Sequence, residues 1–185
     1  MQSIVLLSGP VAVGKTTLRD VLAASYGFDC VRSSPYLIQL AAERGIGTTR
    51  TELQDLGDQL DRSTDFRWVV DQVAIQAFRL RWEQNRWLVD AVRKQRQVDH
   101  FRSAFDGAVL HVHLTACEDV LRARFDGRLK AENSNVDGQT PYEVAIQHDN
   151  EMQARRLIES ADLVVDLGIT STMDAIKMIV QRLPR

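Results

Sequence analysis

Two periodicities alternate along this chain. Ile4-Val5-Leu6-Leu7, Trp87-Leu88-Val89, Val109 to Leu114 and Leu163-Val164-Val165 are apolar runs of strand length, and Phe28-Asp29-Cys30-Val31 adds a shorter one. Between them apolar residues recur at helical spacing. Leu53, Leu56 and Leu60 share one face, and Phe66, Val69, Val70, Val73, Ala77 and Leu80 share another. Strands alternating with helices predict an α/β fold around a mostly parallel sheet, with both stripes facing the core.

Polar residues mark the helix starts. Ser34 before Pro35 predicts an N-cap followed by a proline in the first helical position. Thr49 with Glu52, Thr115 with Glu118, and Thr140-Pro141 with Glu143 read as capping boxes, and Ser171 with Asp174 as a lesser version. Phe125 to Gln139 breaks the pattern with two glycines, dense charge and the run Asn133-Ser134-Asn135. It predicts a mobile loop or lid between two helices, assigned to residues 125–140.

The 185 residues suit a single domain spanning 1–185, and 44% hydrophobic with 26% charged residues is ordinary for a soluble globular chain. A net charge of −2 supplies no basic field, which argues against a nucleic-acid partner. No apolar run approaches the ~18 residues of a membrane span. A first strand starting near residue 3 leaves no room for a targeting segment. Cys30 and Cys117 stand alone and read as small buried hydrophobes. A cytoplasmic setting is expected.

The strongest chemical signal is Gly9-Pro10-Val11-Ala12-Val13-Gly14-Lys15-Thr16, set between the first strand and a helical stretch beginning at Thr17. That is the context of a Walker A phosphate loop. Glycines let the backbone close on phosphate oxygens, the loop amides form an anion nest, and the helix adds its positive end. Gly9, Ala12, Val13, Gly14, Lys15, Thr16 and Thr17 are the expected nucleotide contacts. Lys15 reaches the β- and γ-phosphates of ATP, and the Thr16 hydroxyl ligates Mg²⁺.

Asp90 closes the apolar run Leu88-Val89, at a strand end that would line the ligand crevice. It can hold Mg²⁺ through water or serve as a base. Arg93, three residues on, can clamp a phosphate through paired hydrogen bonds. Arg124 and Arg128 share a helix face, with Arg122 nearly opposite Arg124. Arg124 is the first and Arg128 the second candidate to stabilise transferring phosphoryl charge. Arg155-Arg156 read as solvated. His111 and His113 share one face of a strand without a third ligand at metal spacing, so they are expected to be satisfied sheet residues.

Gly9 to Thr17, Asp90-x-x-Arg93, the Arg122-x-Arg124 helix and the lid together resemble the P-loop nucleoside and nucleotide kinases. That group includes adenylate kinase, dephospho-coenzyme A kinase and deoxynucleoside monophosphate kinases. Thr140-Pro141-Tyr142-Glu143 with Asp149 and Glu151 is similar to the family's post-lid helix, and Ala161 to Val165 to its last strand. The resemblance implies a three-layer sandwich with a five-stranded parallel sheet in order 2-3-1-4-5. It places an acceptor-binding helical segment at about residues 34–84. Arg93 then holds the acceptor's phosphate, with Ser34, Arg44, Arg50 and Arg62 available from the helical segment.

Two departures stand out: Ser33-Ser34 where relatives often carry an acid, and Asp166-Leu167-Gly168 where asparagine is common. The implied activity is ATP- and Mg²⁺-dependent phosphoryl transfer to a small acceptor, a (deoxy)nucleoside monophosphate, by a monomer or homodimer. Two alternatives stay open. One is a hydroxyl acceptor (nucleoside, dephospho-coenzyme A or modified DNA base) with Asp90 as base. The other is a non-enzymatic ATP-binding switch.

Overall fold

The computed structural model describes residues 2–131 and 141–183, with backbone alone for Arg50 and residues 129–131. The sequence-assigned lid lies partly outside this range. Helix α6 (Glu118–Ala131) continues through the first part of that stretch, and residues 132–140, with the Thr140 cap, lie outside the described residues.

Five strands form one sheet: β1 (Ser3–Ser8), β2 (Asp29–Val31), β3 (Arg86–Val89), β4 (Val109–Thr115) and β5 (Leu163–Asp166). Their order is β2-β3-β1-β4-β5 and every pairing is parallel, as the resemblance implies. A parallel sheet must be covered on both faces because its crossovers are helices. β1 shows this directly, since all six residues are buried.

Alternate β1 side chains serve two cores. Val5 and Leu7 pack with Leu18 and Leu22 of α1 (Lys15–Tyr26), Leu121 and Phe125 of α6, and Ile176 and Ile179 of α9 (Thr172–Gln181). Ile4 and Leu6 face the other way, toward Leu60 of α3 (Arg50–Ser63), Val69 and Val70, and Val98 and Phe101 of α5 (Gln95–Ala104). Each layer buries several large apolar side chains, at about 1.5–3 kcal/mol apiece.

Local signals held at two caps. Thr49 and Glu52 form the expected reciprocal box. Ser171 accepts from the amide of Asp174 and donates to its carboxylate, a fuller cap than expected. Elsewhere the structure differs. Helix α2 (Ser33–Glu43) starts two residues early, with Arg32 at the N-cap, so Ser34 lies inside the first turn rather than capping it. Pro35 costs nothing there, because first-turn N–H groups have no intrahelical acceptor. Residues Val69–Ala74 form a π-helix leading into α4 (Ile75–Leu80). The wider turn rotates the following face, so the expected stripe breaks and Leu80 is 82% exposed. Cys30 is only half-buried and Cys117 exposed, against the expected buried roles.

One buried polar cluster ties the helical segment to the end of β3. The Lys94 ammonium donates to Asp61 at 2.8 Å and Asp58 at 3.1 Å. Asp61 also accepts from the Trp68 indole at 2.7 Å and the Gln97 amide at 3.2 Å. Burial opposes the Lys94 charge, but its two carboxylate bonds outweigh this and raise its pKa. Removing one partner strands the other's charge in the interior. Asp61→Ala should therefore lower the unfolding free energy by about 3 kcal/mol in urea denaturation, well above a surface substitution.

Candidate active site

At the C-terminal edge of the sheet the chain leaves Ser8, turns through residues 9–14 and enters α1. Gly9 has φ 138°, and a Cβ there would collide with the Leu114 carbonyl oxygen of β4. Only glycine lets β1 and β4 meet this closely. Ala12 (φ 62°) and Gly14 (φ 114°) also adopt left-handed backbone. Such reversals turn successive amides toward one centre, the geometry of an anion nest. Gly14 caps α1 without a side-chain hydrogen bond, so the first N–H groups of the helix keep their donors for a ligand.

Lys15 opens α1 and folds back over the loop, donating to Gly9 O at 2.6 Å and Pro10 O at 2.8 Å. Burial drops its pKa to about 8. Asp90 and Glu151 work against that drop, whereas Arg93 and Arg128 add to it. These four side chains therefore act on one centre. Thr16 and Thr17 follow on the exposed first turn.

Asp90 stands just beyond β3, bonded to Arg19 at 3.3 Å, with both side chains under a fifth exposed. Burial raises the Asp90 pKa, while Lys15, Arg19 and Arg93 oppose the rise. Arg19 was missed in the sequence. The signal was its spacing of four from Lys15, which stacks both on one face of α1. Thr16 and Asp90 are oxygen donors, the type Mg²⁺ takes, and a Mg²⁺ site needs only one or two protein ligands beside phosphate and water. The residues fit that ion. Among the described residues no group of three or more His, Cys, Asp or Glu side chains gathers as a metal set.

Beneath the loop, Ser8 Oγ lies 2.8 Å from His111 Nε2 and 2.9 Å from His113 Nδ1. One hydroxyl can donate to one ring and accept from the other, so both histidines are satisfied inside the sheet. Burial, helped by His111 and Lys15, pushes His113 down to about 4. The loop therefore rests on a neutral floor.

The arginines divide. Arg124 donates to Val13 O at 2.9 Å and Leu167 O at 2.8 Å, bridging the phosphate loop to the β5–α9 connection. Arg128 stacks over Phe125 at 5.3 Å and acts on Lys15. Arg122 turns away, paired with Glu143 and stacked over Tyr142 at 5.2 Å. Arg93 is exposed beside the site, as are Ser34 and Arg44 in the helical segment, and the Arg50 side chain lies outside the description.

Glu151, on α8 (Asp149–Arg156), stands in the sequence only as part of the post-lid helix resemblance, with no role at the loop assigned to it. Its Oε1 accepts the Val11 amide at 2.9 Å. Arg155 is no solvated residue: it binds Glu118, Glu151 and the Tyr142 hydroxyl, which hold its pKa above the usual guanidinium value.

A family model described as an AAA domain matches residues 5–141. A curated relative, "Cytidylate kinase" of Haloquadratum walsbyi, is 40% identical over 62 residues, covering 33% of this chain and 32% of that protein. The chain thus aligns with about a third of that relative's length. Among solved structures, a protein of Chloroflexus aurantiacus superposes with TM-score 0.61 at 18% identity, covering 98% of both chains. Shikimate kinase of Aquifex aeolicus gives TM-score 0.52 at 15% identity, covering 96% of this chain and 94% of that one. At these identities the likeness shows a shared fold.

The buried histidines set an acid limit on the fold. His113 titrates at about 4 folded against an ordinary 6.5, so below 6.5 the unfolded chain takes up the proton first. Stability should hold above pH 6.5 and fall as pH drops from 6.5 toward 4 in denaturation series. His113→Gln, which retains an acceptor for Ser8, should flatten that fall.

Proposed function

We propose that this chain, which belongs to the AAA domain family, is an ATP- and Mg²⁺-dependent kinase whose acceptor is a nucleoside monophosphate. The observation that carries this is the meeting of Lys15, Arg19, Arg93 and Asp90 at the strand ends beside a glycine-turned loop. Loop amides and the Lys15 ammonium hold the triphosphate. Thr16 and Asp90 would hold Mg²⁺, which would supply charge neutralisation to the polyphosphate. Arg128 supplies positive charge from α6 toward the same centre. Arg124 fixes the loop against the β5–α9 connection, on the side where the base would lie.

In this reading Arg93 clamps the acceptor's phosphate, and α2, α3, the π-helix and α4 (about residues 34–84) enclose the acceptor. An acceptor phosphate oxygen attacks the γ-phosphorus as the bond to the leaving diphosphate oxygen breaks. A phosphate has a second pKa of about 6, so it arrives ionised and needs guanidinium partners more than a base. The partial likeness to a protein named cytidylate kinase supports this acceptor class.

One observation favours a second reading. Burial raises the Asp90 pKa, which suits a base acting on a hydroxyl acceptor. A panel of monophosphates, nucleosides and dephospho-coenzyme A, read by ADP release, separates the two. If the acceptor is a phosphate, Arg93→Ala raises its KM about 10- to 100-fold with little change in ATP affinity. If it is a hydroxyl, Asp90→Asn abolishes transfer while ATP still binds, and Arg93→Ala leaves the acceptor KM unchanged.

Lys15 sets a pH signature. Free, it loses its proton near pH 8, whereas phosphate oxygens favour the ammonium. ATP affinity should therefore fall as pH rises through about 8. A flat calorimetric profile from pH 7 to 9 would remove Lys15 from phosphate contact.

A further inference from the structure

The phosphate loop already holds an anion, and that anion belongs to the protein. Glu151 is only 8% exposed although it lies in the first turn of α8. Its Oε1 accepts the Val11 amide at 2.9 Å, across 140 residues of sequence. The same oxygen accepts from Arg155 Nε at 3.1 Å, one helical turn further on.

Arg155 is itself anchored. It donates to Glu118 at 3.0 Å and to the Tyr142 hydroxyl at 3.2 Å, and Tyr142 donates to Glu118 at 2.7 Å. Tyr142 is fully buried against Phe125. The carboxylate is therefore held by a braced frame, not by a loose surface side chain. Its charge also reaches Lys15, where it supports the ammonium against burial.

Val11 lies on the arm of the loop opposite the start of α1. The helix-side amides cradle the α- and β-phosphates, and the loop lysine reaches the β- and γ-phosphates. An anion that contacts the far arm and acts on Lys15 thus lies at the terminal-phosphate end.

We propose that Glu151 is an internal counter-anion of the loop, displaced from the Val11 amide by the terminal phosphate of a bound nucleoside triphosphate. This rests on the reading of the loop as a triphosphate site. A carboxylate and a phosphate oxygen cannot share one N–H donor, and their like charges repel at that distance. Triphosphate binding therefore carries the cost of moving Glu151, whereas a diphosphate, which ends short of Val11, does not. Releasing the Val11 bond also detaches α8 from the loop, so α8 senses whether the terminal phosphate is present.

Titration calorimetry with Mg²⁺-ATP and Mg²⁺-ADP on the wild-type chain, Glu151→Ala and Glu151→Gln tests this. Glu151→Ala should bind ATP at least about fivefold tighter than wild type, with ADP affinity little changed. Glu151→Gln keeps an acceptor for Val11 without the charge and should fall between the two. Unchanged or weaker ATP binding by Glu151→Ala, or equal tightening for ATP and ADP, would overturn the displacement.

Hydrogen exchange on the wild-type chain gives a readout free of variant folding. ATP, and not ADP, should speed exchange across residues 149–156. Slowed or unchanged exchange with ATP bound contradicts the proposal. If neither wild type nor Glu151→Ala binds ATP, the triphosphate reading itself fails and takes the proposal with it. If wild type binds ATP but none of the expected changes occurs, only the role of Glu151 fails.

Discussion

Parallel pairing of β1 between β3 and β4 is the constraint on which the rest depends. The register sets Leu6 beside Val89 and Ser8 beside His113. All strands run the same way, so the residues that follow them emerge at one edge. Gly9 follows β1, Asp90 follows β3, and Leu167 follows β5. Both sheet faces are filled by apolar packing, which leaves that edge as the place for polar chemistry. The close approach of Gly9 to the Leu114 carbonyl is the tightest expression of the pairing, and the loop's shape follows from it.

The edge is organised around a charge problem. A buried ammonium without a phosphate partner is unfavourable, and Lys15 responds by lowering its pKa and bonding to two loop carbonyls. Asp90 and Glu151 supply negative charge around it, while Arg93 and Arg128 act on it with positive charge and Arg19 pairs with Asp90. The first N–H groups of α1 carry no side-chain cap, whereas the Val11 amide and the Lys15 ammonium are held by Glu151 and by loop carbonyls. Beneath them the Ser8–His111–His113 cluster stays neutral, and the loop's positive field is left to its own amides and lysine.

Local pattern made much of this legible. Five apolar runs became five strands, and the glycine spacing from Gly9 to Gly14 marked the loop, because both depend on residues close in sequence. The position of Asp90 followed from strand ends meeting at one edge. What escaped depends on distant partners. Arg19 repeats at helical spacing from Lys15, but its bond to Asp90 spans 71 residues. Glu151 and Arg155 are an ordinary helical pair until α8 is set against Val11 and Glu118. Lys94 carried no signal of burial, since two carboxylates and an indole on another segment make its place tolerable. The π-helix at Val69–Ala74 broke an otherwise regular stripe, for a periodic pattern does not record one widened turn.

The central claim is that this edge moves a phosphoryl group from ATP to a small anionic acceptor. Phosphorus NMR of Mg²⁺-ATP incubated with the chain and a set of nucleoside monophosphates tests it most directly. The account predicts loss of the γ-resonance with matching growth of a second diphosphate pair for at least one acceptor, and no such growth with Lys15→Met. An unchanged ATP spectrum with every acceptor, or inorganic phosphate as the sole product, would contradict it.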